Sequence, residues 1–131
     1  MNSLKNLILG AIVLVLASCA STAKFPVSNI IPAAEITAKM KQDDNKNHVI
    51  EVTAKNMASA NRLNPPKKTY VVWIVSDNKV VKNIGQLSIK NAKKSTLQTT
   101  TAFKVKEIFI TAEEEGAISE PKGIEISRTK F

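Results

Sequence analysis

The chain has 131 residues and a hydrophobic content of 44%, which suits one globular domain of ordinary size and excludes a disordered chain. Its formal charge is +8, or +7 without Lys5, carried by lysines with Arg62 and Arg128 as the two arginines. The bases are not interleaved with aromatics, which argues against stacking on single-stranded nucleic acid and leaves a solvated lysine surface or attraction to anionic headgroups and glycans.

Met1–Asn6 is polar and carries Lys5, and Leu7–Ala17 reads LILGAIVLVLA without a charge. A basic start, an apolar run of about 7–15 residues and a small-residue cleavage site define a secretory signal. The run is shorter than the roughly 20 apolar residues that span a bilayer. It ends in Leu16-Ala17-Ser18-Cys19, which matches a lipobox. The small residues admit the processing protease, and the thiol accepts diacylglycerol as a thioether. The sequence therefore predicts a helical lipoprotein signal peptide over residues 1–18, cleavage between Ser18 and Cys19, and lipidation of Cys19. No acidic inner-membrane retention signal follows Cys19, so the expected location is the periplasmic face of an outer membrane. Residues 19–29 are small and polar with Pro26, and read as a lipidated tether.

Residues 30–131 read as the folded domain. Ala34, Ile36, Ala38 and Met40 alternate with polar residues, as do Ile50, Val52 and Ala54, which predicts two strands each with one buried face. Asp43–Asn47 between them has the composition of a turn. Met57–Lys68 is a loop holding Pro65-Pro66. Thr69–Ser76 reads TYVVWIVS and suits a central strand buried on both faces, with Trp73 as a filler of the core. Asp77–Lys79 is a tight turn. Val80–Lys90 is a strand region with Leu87 and Ile89 inward and Gly85 as a bulge. Thr96–Lys104 is extended, Glu107–Ala112 is strand-like, Glu113–Gly123 is a long turn, and Ile124–Arg128 closes the chain. About seven short strands without an amphipathic helix predict an all-β, immunoglobulin-like antiparallel sandwich.

The segment Leu63-Asn64-Pro65-Pro66-Lys67-Lys68-Thr69-Tyr70-Val71-Val72-Trp73-Ile74-Val75 resembles the L-P-P-L…G-K-x-Y-x-L-W-L-V stretch of the anti-sigma-K factor C-terminal domain family. Ile84-Gly85-Gln86-Leu87 resembles its x-G-x-L strand. Ile110–Gly116, followed by Pro121-Lys122-Gly123, is similar to its V-T-x-E-x-x-G-G…P-x-G ending. The order agrees from about Ala34 to Ile126. The resemblance implies an extracytoplasmic β-sandwich and places the family's recurrent glutamate at Glu113, where it would accept backbone N–H groups in the turn. Ala117 departs from the family's second glycine. The anti-sigma activity itself does not transfer, because a lipoprotein processed at Cys19 meets no sigma factor directly.

Catalytic chemistry finds few candidates. His48 and Cys19 are the one histidine and the one cysteine, so neither an intramolecular disulfide nor a His/Cys zinc set is available. There is no G-x-S-x-G, no S-x-x-K and no glycine-rich phosphate loop, and no catalytic residue is assigned. Met40, His48 and Met57 together would suit Cu(I), although Met40 falls in the inward register of its strand. Glu113, Glu114, Glu115 and Glu120 lack the alternating spacing of a calcium loop. No metal site or cofactor is expected. The turn residues Glu113, Glu114, Glu115, Gly116, Pro121 and Gly123 form the candidate binding site, because long turns on a rigid scaffold carry binding residues. The expected function is a non-catalytic envelope module that binds a protein or glycan partner. The alternative is a small-ligand or metal carrier with a pocket between the sheets.

Overall fold

The computed structural model describes residues 20–89 and 93–131. Eight strands lie there: β1 (Ala20–Lys24), β2 (Glu35–Gln42), β3 (His48–Lys55), β4 (Thr69–Ser76), β5 (Val81–Leu87), β6 (Lys94–Thr101), β7 (Val105–Glu113) and β8 (Ile124–Lys130). They form two antiparallel four-stranded sheets, ordered β1-β2-β3-β6 and β5-β4-β7-β8. The chain crosses between sheets after β3, β5 and β6, so β3 pairs with β6 and β4 with β7. The fold is the expected all-β sandwich with the Greek-key connections of immunoglobulin-like domains. The signal peptide expected over residues 1–18, and Cys19, lie outside the described residues.

Alternation builds the space between the sheets. Ile36, Ala38, Ile50, Val52 and Ala54 project inward from β2 and β3 and are buried. Tyr70, Val72 and Ile74 from β4 and Ile108, Ile110 and Ala112 from β7 join the same cluster. The Tyr70 hydroxyl donates to the Ala58 carbonyl at 2.6 Å, so the ring is buried without stranding its polar tip. Leu87 is buried as expected, while Met40 and Ile89 are half-buried against the cluster.

The structure corrects the tether reading. Ala20–Lys24 is an edge strand in register with β2, from Ala20 opposite Lys41 to Lys24 opposite Thr37. The Phe25 N–H extends the ladder to the Ile36 carbonyl at 3.0 Å, and Ala23 and Phe25 are buried. Farther along, Ser28 Oγ accepts the N–H groups of Ile30 and Ile31, which sets Ile31 into the core. The described part of the expected tether therefore belongs to the sandwich.

The connections divide by length between the two ends. Residues 43–47, 77–80 and 102–104 make short turns at the end where β1 begins. The opposite end carries the long connections 25–34, 56–68 and 114–123, the second holding a single 3₁₀ turn at Ala60–Arg62. An eight-residue strand at about 3.3 Å per residue puts roughly 25 Å between these ends.

Candidate functional site

The outer face of the β5-β4-β7-β8 sheet holds a second, separate apolar cluster. Val71 and Trp73 on β4 and Phe109 on β7 are buried there, with Val75 and Ile118 packed against them. Trp73 is thus fully buried, but it does not fill the space between the sheets as the sequence suggested. The turn after β7 folds back over it, and this is why β4 and much of β7 are buried on both faces.

Cross-strand register aligns four side chains under that turn. Asn83, Trp73, Phe109 and Arg128 are neighbours across β5, β4, β7 and β8. The Trp73 and Phe109 rings stack with centroids 6.2 Å apart and planes 15° apart. The Arg128 guanidinium sits 4.0 Å over the Phe109 centroid, and Glu125 accepts two of its N–H groups. Such a cation–π contact is worth about 0.5–1 kcal/mol where solvent reaches it.

Two polar anchors fix the turn. The Trp73 Nε1–H donates to Thr111 Oγ1 at 2.8 Å, and the Thr111 hydroxyl donates to Glu113 Oε2 at 2.6 Å. The Glu113 carboxylate also accepts the Lys122 N–H, at 3.1 Å to Oε2 and 3.3 Å to Oε1. Glu113 is 2% exposed, so its carboxyl group is buried but supplied with donors. The second anchor is Asn83, whose Nδ2 donates to the carbonyls of Gly116 and Ile118 at 2.8 and 2.9 Å.

A bulge aims that asparagine. The β4–β5 register slips between Val72 and Trp73, and Gly85 has φ +137°, a conformation that side chains disfavour. The Gly85 N–H bonds Asn83 Oδ1 at 2.9 Å, which orients the amide towards the turn. Gly123 serves a different need: any Cβ there would overlap the Ala112 carbonyl.

The structure therefore separates the expected binding residues. Glu113 and Gly123 are parts of the frame. Glu114, Glu115 and Pro121 are exposed, and Gly116 is half-buried. Lys67, from the β3–β4 connection, joins Glu114 at 3.7 Å. Lys67, Lys122 and the three consecutive glutamates surround an open concavity of about 240 Å³ floored by Ile118 and Gly123. The Glu113 carboxylate is committed to internal donors, so the exposed charged groups beside the concavity are Glu115, Lys122 and Glu114, the last paired with Lys67.

Reading the sequence missed Asn83, Thr111, Ile118 and Lys67 as parts of this site. The signal available in the residues is the polar Thr111 within the otherwise apolar run Ile108–Ala112, with Glu113 directly after it. Met40, His48 and Met57 do not converge. His48 begins β3 and Met57 lies beyond its end, roughly 25 Å away at about 3.3 Å per residue, and Met57 is buried in the core. Among the described residues no three of His, Cys, Asp and Glu are grouped to hold a metal ion, and no helix is long and apolar enough to cross a membrane.

This geometry defines a β-sandwich with one outer face capped by an anchored acidic turn. No family model, no curated protein and no solved structure matches the chain.

Proposed function

We propose that the chain is an exported lipoprotein, anchored through Cys19, whose sandwich is a non-catalytic module taking a protein or glycan partner at the Glu113–Gly123 turn. The observation that carries the reading is the construction of that turn. Glu113, Asn83 and Ile118 hold it against the sheet, while Glu114 and Glu115 stay at the surface beside Lys67 and Lys122. A rim ordered in advance loses little entropy on binding, and its carboxylates accept hydrogen bonds from sugar hydroxyls or from amines and guanidinium groups of a protein.

The lipobox at Leu16–Cys19 supports export and anchoring. The segments Leu63–Val75 and Ile110–Gly123, which resemble parts of the anti-sigma-K C-terminal domain family, are the two that meet at Lys67 and Glu114. A lipoprotein processed at Cys19 lies across the membrane from any sigma factor, so its partner belongs to the envelope. A carrier with a ligand cavity between the sheets is the weaker reading, since Tyr70, Ile50, Ile74 and Leu87 occupy that space.

A photoreactive residue at Glu120, crosslinked in intact cells, tests this proposal. The expected product is an adduct with an envelope protein or glycan that disappears in Glu114→Lys/Glu115→Lys while the thermal midpoint stays unchanged. Identical adducts in the variant, or a sigma factor in direct contact, would contradict the proposal.

A further inference from the structure

We propose that the short-turn end of the sandwich docks on a bilayer surface carrying anionic phospholipid headgroups, with Val80, Val81 and Phe103 entering the headgroup layer and Lys79, Lys82 and Lys104 meeting the phosphates. The proposal deepens the anchoring reading and rests on it.

Connectivity is the first support. β1 begins at Ala20, already paired with Lys41. Ala20 follows Cys19 directly, and successive Cα atoms are about 3.8 Å apart. A diacylglycerol on Cys19 therefore brings this end of the sandwich to the membrane with no spacer between them.

Surface chemistry is the second. Val80, Val81 and Phe103 are 41%, 37% and 40% exposed, and all three lie on or beside the turns at this end. Val27 and Ile30 are also exposed, but they belong to the opposite end. Lys79, Lys82 and Lys104 are exposed on the same turns as the apolar residues. The Lys82 ammonium lies 5.5 Å from the Phe103 ring centroid, and the Asp77 N–H donates to the Lys104 carbonyl at 3.1 Å. The two turns thus present apolar tips ringed by ammonium groups as one fixed unit. Asp77 is exposed on the same turn as Lys79, and Lys41 and Lys46 continue the surface towards β1 beside Asp43 and Asp44. One Asp43 carboxylate oxygen is already taken by the N–H groups of Asn45 and Asn47. An aromatic and aliphatic tip with lysines around it is the arrangement that settles at a lipid interface.

Geometry joins the two supports. β1 and β6 are separated by three strand spacings, about 15 Å across the end. The anchor and the apolar tips therefore occupy two sides of one surface, and contact at both fixes the sandwich end-on. The acidic turn then faces away from the bilayer, roughly 25 Å out along the strands.

The processed full-length lipoprotein in vesicles tests this. Cysteines introduced one at a time at Ala102 and Glu120 accept a fluorophore, while the Cys19 sulfur is closed by its thioether. Brominated lipids then report depth in vesicles with phosphatidylglycerol and in vesicles of phosphatidylcholine alone. The label at Ala102 should be quenched and that at Glu120 spared, only in the anionic vesicles. Lys79→Gln and Lys104→Gln should each lower the docked fraction relative to the undocked one by roughly fivefold. Equal quenching at both positions, or quenching indifferent to phosphatidylglycerol and to the lysine variants, would overturn the docking. Vesicle flotation and the intact mass of Cys19 report the anchor separately. A lipidated, floating protein with an unquenched Ala102 label refutes docking alone, and an unlipidated one refutes the anchor and the docking with it.

Discussion

Trp73 and Tyr70 stand three apart on β4 and point to opposite faces, and each is buried by a different neighbour. Tyr70 closes the core between the sheets, and burial pushes its hydroxyl from the ordinary 10.0 up to about 12. The folded state holds this proton more tightly than the unfolded chain does, so the stability it brings is fully present below about pH 10 and is lost as pH rises towards about 12. Tyr70 is the one tyrosine, so the ultraviolet titration of tyrosinate reads it alone; the native protein should stay silent through pH 10, whereas Tyr70→Phe should remove this part of the alkaline destabilisation. Trp73→Ala opens a large void under the acidic turn and should cost roughly 3–5 kcal/mol in denaturant unfolding. That is a large share of the ~5–15 kcal/mol by which a domain is stable. Trp73→Phe keeps most of the apolar area and forfeits the bond to Thr111, so its cost should be clearly smaller. The emission of this single tryptophan should be that of a water-excluded indole in the folded protein and should shift red on unfolding.

Among the elements, those with a strict alternation were legible in the residues alone. β2 and β3 show it in Ile36/Ala38 and Ile50/Val52/Ala54, and the continuous apolar run of β4 announced a strand covered on both faces. What covers its outer face was not legible, because Ile118 is one apolar residue in a polar turn and contributes no periodicity. β1 was misread for a related reason. Ala20–Lys24 is an edge strand of small and polar residues with one buried side chain, and its composition is that of a tether. Within the site, the glutamate run was visible, but its division into one buried anchor and two exposed neighbours is set by the Thr111 hydroxyl two residues back on β7 and the Lys122 N–H across the turn, which no spacing rule reveals. The bulge at Gly85 was readable from the glycine, and its purpose, aiming Asn83, was not. Asn83→Ala should free the carbonyls of Gly116 and Ile118 and the Gly85 N–H and lower global stability by about 2–3 kcal/mol, allowing about 1 kcal/mol for each of the three lost bonds. Amide hydrogen exchange should speed up across residues 114–121 while β2 and β3 stay protected. An unchanged exchange rate in that turn would mean that Ile118 and the Glu113 anchor hold it without Asn83.

Taken whole, the molecule is polarised. Short turns with exposed lysines and the start of β1 occupy one end, and the long connections with the anchored acidic turn occupy the other. The proposed lipid on Cys19 would give this polarity a meaning, setting one end against the membrane and the other towards a partner. Two fatty chains on a diacylglycerol hold a protein where one would exchange freely. Cys19→Ala should therefore leave an unprocessed or mislocalised precursor that no longer incorporates palmitate. The most direct measurement is the intact mass and N-terminal peptide of the protein recovered from the cell envelope. The expected product is a chain beginning at Cys19 and carrying diacylglycerol on its sulfur. A chain that retains Met1–Ser18, or that presents a free Cys19 thiol, would contradict it.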